Sequence, residues 1–453
     1  MQKSWKPLIL LTVGVVIIIT LLFSNTSDSI GPGCETIRFS RDVGETFNLV
    51  FLADNYNDIS AFTEDVGSFS NALLNLRPFN TYQERFNIYT IKNTTTLNCK
   101  YDDAVICDDG KAKREASKCP HDFIIILSHR NKIVDVVDPL RSAAYLNIAS
   151  INTADNPLVL AHEFGHLFGD FAEEYIADYK IDWDAPNCDN TISCKRFQIV
   201  QDSGCFNGCT THDYSRSIER GLMRSYWNGE SYGPYNEYIL ETLLQQRSSL
   251  DTKLTFSPFR KSQSNNKPNQ VIILDFSIKN NAFLLTNKEI IDGYAPNFEK
   301  EGYSYVLLSP TNTNLYNFSF GSPRIIQERD SESGMNGSIT SLGTFTLIVP
   351  YSKEVSTIKI KDPNNNDIAE FSLTNTFSLT PGQTATFKLK DFYKEIYFYN
   401  EQKQLQSKIT LDCKDYCHGT QDVEYIIPNW SSGNYFLMYY SNGEWNRINF
   451  QVI

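Results

Sequence analysis

The chain has 453 residues, 41% of them hydrophobic and 21% charged, with a formal net charge of −12. That length suggests about three domains, and the hydrophobic content is ample for globular cores. The acidic balance argues against a nucleic-acid partner and against an anionic lipid surface, and it names no substrate.

Lys3 and Lys6 precede Pro7, and Leu8 to Phe23 then runs sixteen residues without a charge. Such a run needs lipid or a translocon. No clear small-x-small cleavage site follows, so residues 1–30 read as a signal anchor and single-pass membrane segment. Lysines before the span keep the start inside and leave the rest of the chain outside the cell membrane. A cleaved signal peptide and a secreted protein are the alternative.

Residues 31–256 alternate strand-like and helix-like runs. Phe47 to Leu52, Phe86 to Ile91, Asp122 to Leu127 and Tyr145 to Ile151 read as strands. Ser60 to Leu76, Asn156 to Phe168 and Tyr235 to Leu250 read as helices. This order fits an α/β (α+β) domain with a mixed sheet backed by helices.

Within the second helix, residues 162–166 read His-Glu-Phe-Gly-His inside an apolar run. Asn156 can cap that helix, with Pro157 at its first position. Histidines four apart on a helix face one way, so His162 and His166 can share one divalent cation, with Glu163 beside its open side. Burying these groups without a partner is costly, and a metal is the simplest partner. Gly169 can take a left-handed conformation and turn the chain back under the metal. On a straight helix Glu173 would lie about 10 Å beyond His166 along the axis, so a carboxylate ligand needs that bend. Glu173 is the favoured third ligand, Glu174 the alternate and Asp170 the third choice. His212 is a rival from further along the chain.

The stretch HEFGHLFGDFAEEY resembles the HExGHxxxxxxDEY signature of the bacterial IgA-specific zinc metallopeptidase family, which are metzincin-like HExxH endopeptidases. Phe47 to Asn57 is similar to that family's first core strand and the loop after it. Arg77-Pro78-Phe79-Asn80 and Arg85-Phe86-Asn87 are similar to its next conserved stretch. Gly221-Leu222-Met223-Arg224 is similar to its methionine-containing segment. Together these cover residues 45–250. This chain departs from the family in carrying Glu173 where aspartate is usual. The resemblance implies a zinc endopeptidase without implying immunoglobulin A as substrate.

The expected chemistry follows. One Zn(2+) per chain is held by His162, His166 and Glu173 or Glu174, and a water takes the fourth position. Glu163 accepts the water's proton as it attacks a peptide carbonyl, then returns the proton to the leaving amine. Tyr175, Arg224, Tyr226 and Tyr232 are candidates for oxyanion support. Met223 is expected as an apolar floor under the metal, and an ordinary core methionine is the bland alternative. Substrate peptide is expected to add as a strand to the sheet edge near Tyr145 to Ile151.

Ten cysteines in polar stretches suit disulfides in an oxidising compartment. Local pairing suggests Cys188–Cys194, Cys205–Cys209 and Cys413–Cys417, and Cys99 with Cys107 or Cys119. The four cysteines from 188 to 209 match no common zinc ribbon, which makes a second metal site the lesser reading. Sequons begin at Asn93, Asn317, Asn336 and Asn429.

Residues 257–269 turn polar and read as a linker. Beyond them the helical period vanishes, and two all-β immunoglobulin-like sandwiches are expected over 270–377 and 378–453. They carry no catalytic cluster. Spacing the enzyme is their bland role, and contact with a cell surface or glycan is the sharper one. Trp430 and Trp445 read as core. A catalytically inactive adhesin on a peptidase scaffold, and a zinc hydrolase of a non-protein amide, are the rival functions; the intact Glu163 argues against the first.

Overall fold

A computed structural model describes residues 31–453 except 93–95, 178–183, 192, 251–268, 280–281, 301, 310, 328–337, 342, 353, 374–376, 380, 383, 442–443 and 453. The N-terminal apolar run and most of the 257–269 linker therefore lie outside the described residues. The protein is mixed α/β and rich in strands. It divides into two compact units, residues 1–300 with 321–351, and residues 301–320 with 352–453.

The first unit is built on an eight-stranded sheet. Its strands are β1 (Glu35–Arg38), β2 (Phe47–Asp54), β3 (Phe86–Ile91), β4 (Phe123–Ser128), β5 (Ala143–Tyr145), β6 (Ile148–Asn152), β7 (Arg324–Gln327) and β8 (Ser338–Ser341). They lie in the order β1-β3-β2-β4-β6-β5-β7-β8. β3, β2, β4 and β6 run parallel, while β5 pairs antiparallel with β6. β3 and β4 are buried at every residue, which is why their sequences run apolar instead of alternating.

The expected strand over 145–151 is in fact a hairpin. Leu146 takes φ 52° at the turn between β5 and β6. Both arms are buried and mostly apolar, so only Asn147 at the turn marks it in the sequence.

Helices cover both faces of the sheet. α1 (Ile59–Leu74) starts at Asp58, whose side chain takes the N–H of Ser60. It buries Phe62, Val66, Phe69 and Leu73 at helical spacing. α2 (Asp109–Ala116) packs on the opposite face, burying Ala112 and Ala116 with Val50, Ile124 and Ile126. A short α3 (Lys132–Val137) leads towards β5. α4 (Leu158–Gly169) follows β6 and is buried from Val159 onward. It shares the core with α1 and with Phe47, Phe79, Phe123 and Phe298. α5 (Pro234–Leu250) packs against α4.

The first unit also holds strands that the sequence assigned to the 270–377 sandwich. Asn269–Lys279 pairs with Ala282–Gly293 and Thr344–Pro350 in a three-stranded sheet. That sheet meets α2 through Arg114, 2.5 Å from Asp275, and through Lys113, which donates to Thr346 O.

The second unit has a four-stranded antiparallel sheet of Tyr303–Leu308, Asn314–Phe320, Thr357–Lys361 and Asp367–Ser372. A six-stranded sheet centres on one long strand, Thr384–Asn400. Trp430 stacks on Tyr435 at 4.8 Å in this part, as a core residue would. Trp445 is instead 56% exposed.

Five disulfides join all ten cysteines. Cys99–Cys107 and Cys413–Cys417 are as expected. Cys119 bonds Cys34 rather than Cys99. Cys188–Cys209 encloses Cys194–Cys205, in place of the two neighbour pairs expected. The reason is topological. Cys188 on its short strand stands opposite Arg216, and the chain turns back between Cys209 and Thr211. With all four cysteines bonded, a second zinc site there is excluded.

Candidate metal centre

α4 begins as its sequence suggests, with the Asn156 side chain taking the N–H of Leu158 at 3.0 Å. It ends at Gly169, and the left-handed residue is Asp170, with φ 53° and ψ 30°. The bend is therefore one residue later than expected, and aspartate tolerates that conformation. Gly169 has a different role. A Cβ there would meet the Phe171 ring at 3.0 Å.

The bend returns Glu173 to the two histidines. The His162 and His166 Nε2 atoms lie 3.2 Å apart. Glu173 Oε2 is 3.3 Å from His162 Nε2, and Oε1 is 3.3 Å from His166 Nε2. Three ligands on a tetrahedral zinc at about 2.0–2.1 Å stand about 3.3 Å apart. The donor set thus fits that ion.

Tautomer follows from the other ring nitrogens. His162 Nδ1 is 2.8 Å from Leu222 O, and His166 Nδ1 is 2.7 Å from Phe171 O. A carbonyl can only accept, so each Nδ1 carries the proton and each Nε2 offers a lone pair. Neither Glu173 oxygen has a hydrogen-bond partner. Burial acts to raise the Glu173 carboxyl, and positive charge at the two Nε2 atoms, whether a ring proton or a cation between them, lowers it. His162, Glu163 and Glu173 are fully buried, and His166 is 2% exposed.

The neighbouring candidates go elsewhere. Glu174 accepts from Asn236 Nδ2 at 2.7 Å and Asn187 Nδ2 at 3.4 Å. Burial pushes its carboxyl up to about 7, against the pull of those two amides. Its backbone N–H donates to Met223 O at 2.8 Å, which ties the ligand loop to the methionine segment. Asp170 faces Lys300 at 3.5 Å. His212 lies exposed on the strand Thr211–Arg216. Ala172, between the bend and the ligand, is held by Asn187 through both its N–H and its carbonyl.

Met223 is fully buried against α4. A Cβ on Gly165 would lie 2.4 Å from its sulfur, so the glycine between the histidines lets Met223 approach beneath them. Of the four residues considered for oxyanion support, Tyr226 has its ring 5.9 Å from the His162 ring. Tyr232 is buried and donates to Ala161 O, a structural contact with the helix backbone. Arg224 donates to Glu219 O at 2.6 Å. The Tyr175 carbonyl accepts from Thr210 N at 2.9 Å, and its side chain is buried. Leu222 O and Phe171 O were not legible as ring orienters, because backbone carbonyls leave no residue-type signature.

No protein-family model matches the chain, and no curated protein matches it. A solved structure described as "Biofilm associated protein - BSP domain" is similar over 41% of this chain, at 12% identity and a TM-score of 0.15. The match spans 27% of that protein's chain, and at that score it carries no argument about fold or function.

Proposed function

We propose that this chain is an extracytoplasmic zinc endopeptidase with a metzincin-like domain, holding one zinc per chain and acting on protein or peptide. The observation that carries the reading is the His162, His166 and Glu173 triad, three acceptors at 3.2–3.3 Å with both ring protons committed elsewhere. The mixed sheet with an antiparallel strand at β5, the helix after β6, the bend at Asp170 and Met223 under the helix all favour the metzincin-like plan.

A zinc ion bound there supplies a Lewis acid for a carbonyl oxygen and lowers the pKa of a water. Glu163, next to His162 on α4, takes the proton from the attacking water and delivers it to the leaving amine. Leu222 O and Phe171 O fix both rings in the ligating tautomer. Tyr226, beside His162, is the favoured donor to the carbonyl oxygen as it gains charge.

Five disulfides favour an oxidising location. A membrane anchor through residues 1–30, with the remainder outside, belongs to the same proposal, as does secretion as its alternative. Among the described residues no helix is long and apolar enough to cross a membrane. Contact of the strand-rich C-terminal part with a cell surface or glycan is also proposed, with the exposed Trp445 beside Tyr397 as its aromatic surface.

The test compares the purified ectodomain with its Glu163→Ala variant on a mixed protein substrate, with bound metal quantified. One zinc per chain in both, and cleavage only by the wild type, supports the reading. Stoichiometric zinc without cleavage of any protein favours a binding protein or a hydrolase of non-protein amides. Absence of zinc from the wild type overturns the metal site.

A further inference from the structure

The edge at which a peptide strand would add to this sheet is already paired. α4, which carries the histidines, packs against β5 and β6. β5 would be the last strand if the sheet ended with residues before 300, but β7 lies beyond it and β8 beyond β7. β7 pairs antiparallel with β5, placing Ile325 opposite Tyr145, Ile326 opposite Ala144 and Gln327 opposite Ala143. Neighbouring strands stand about 4.8 Å apart, so β7 fills the first strand position beside β5 and a second strand cannot share it.

The chain leading into β7 also passes the metal centre. Gly321 and Ser322 line one small cavity together with Ala144, Tyr145, His166 and Asp170. Glu163, the proposed base, has no exposed surface and is closed to solvent in this arrangement of the chain.

We propose that residues 324–327 occupy the substrate edge in place of substrate, so that the protein folds into a self-blocked state. The inference rests on the peptidase reading. It also defines the substrate class, an extended and unstructured peptide segment able to replace a strand antiparallel to β5. β7 makes only three residue pairs with β5, fewer than the five or six residues of a typical strand (~5–6). A tethered strand nevertheless competes at an effective concentration on the order of millimolar. Displacing it therefore acts on apparent KM and leaves kcat unchanged.

The test uses the full chain with Ile325→Pro and Ile326→Pro. Successive residues of a strand send their N–H groups to opposite sides, so one proline removes a bond to β5 and the other a bond to β8. Hydrolysis of fluorescein-labelled casein is measured with zinc content. At least one variant is expected to lower apparent KM tenfold or more, with kcat and zinc per chain unchanged. A second construction joins opposite residues, Ala144→Cys with Ile326→Cys, to bond β7 in place. Its cleavage is expected to fall at least tenfold below wild type. Wild-type KM in both proline variants, or wild-type cleavage in the bonded variant, overturns the self-blocking and leaves the peptidase reading standing. No cleavage by any of these proteins with one zinc per chain overturns the peptidase reading, and this inference with it.

Discussion

Asp109 and Lys113 on α2 and the His162, His166 and Glu173 triad are both buried clusters of ionisable side chains in the first unit, and their partners differ. Asp109 and Lys113 face each other at 2.8 Å, with side chains 7% and 5% exposed. The other Asp109 oxygen takes the N–H of Thr346, and Lys113 donates to the carbonyl of the same residue. Opposite charges meet, and backbone groups of Thr346 serve each side of the pair. The triad offers only acceptors to a common point, two imidazole lone pairs and a carboxylate. Protein atoms pair the first cluster; a cation would complete the second. A buried polar group whose partners are all protein reports on architecture, whereas converging acceptors report a ligand.

The contrast breaks first at the ligands. Glu173→Ala is expected to weaken zinc binding by more than the roughly 10–100-fold typical of losing an outer-shell partner. Glu174→Gln should stay within about tenfold of wild type by the same measure. Competition with a chromogenic chelator reads both, and the reverse order would exchange the roles of the two glutamates. The α2 cluster should respond in stability and not in metal content. Asp109→Leu leaves Lys113 buried without its counter-charge, at about 3–5 kcal/mol. Adding Lys113→Met should recover a large part of that in chemical denaturation, with zinc unchanged throughout.

His121 sharpens the comparison as a third buried ionisable group, one that stays neutral. Burial lowers its pKa to about 4, opposed by its contact with Cys119 O. In the unfolded chain it titrates near 6.5 (~6.5), so unfolding takes up a proton between these values. Stability is therefore full above about 6.5 and falls as pH drops towards about 4, by on the order of 3 kcal/mol. His121→Gln should flatten that part of the stability profile, and an unchanged profile would remove His121 as its cause. The smallest effect is steric. Gly165→Ala places a Cβ against the Met223 sulfur and should cost about 1–3 kcal/mol. The loss should shrink when Met223→Val is added, because the two sites share one contact. Equal losses in both backgrounds would mean that Met223 does not press on the helix.

The helix, its two histidines and Glu163 were legible because they are local, fixed by a four-residue spacing and a capped apolar run. Glu173 was legible only as one of two adjacent glutamates. What separates them comes from afar, since Asn187 and Asn236 hold the Glu174 carboxylate while Glu173 meets the two histidines. Gly169 was read as the left-handed residue because glycine is the usual one. Its real constraint is the Phe171 ring, which spacing cannot reveal. The strands β2, β3 and β4 were legible from their apolar runs. The β5–β6 turn was not, because Asn147 is a lone turn residue with no glycine or proline beside it. The pairing of β7 with β5 joins residues about 180 apart in sequence, and nothing in either strand names the other. The same distance effect hid the nested cysteines, whose pairing depends on how Cys188 lies against the strand that follows Cys209.

Those nested cysteines bear on durability. Cys194–Cys205 and Cys188–Cys209 both close within the segment between Glu173 and Met223. On the proposed peptidase reading, each molecule is surrounded by copies able to cut it. If the chain is severed between Cys194 and Cys205, two covalent links still join the halves on either side of the break. Glu173 and Met223 then remain parts of one molecule, and a single cut leaves the site in one piece.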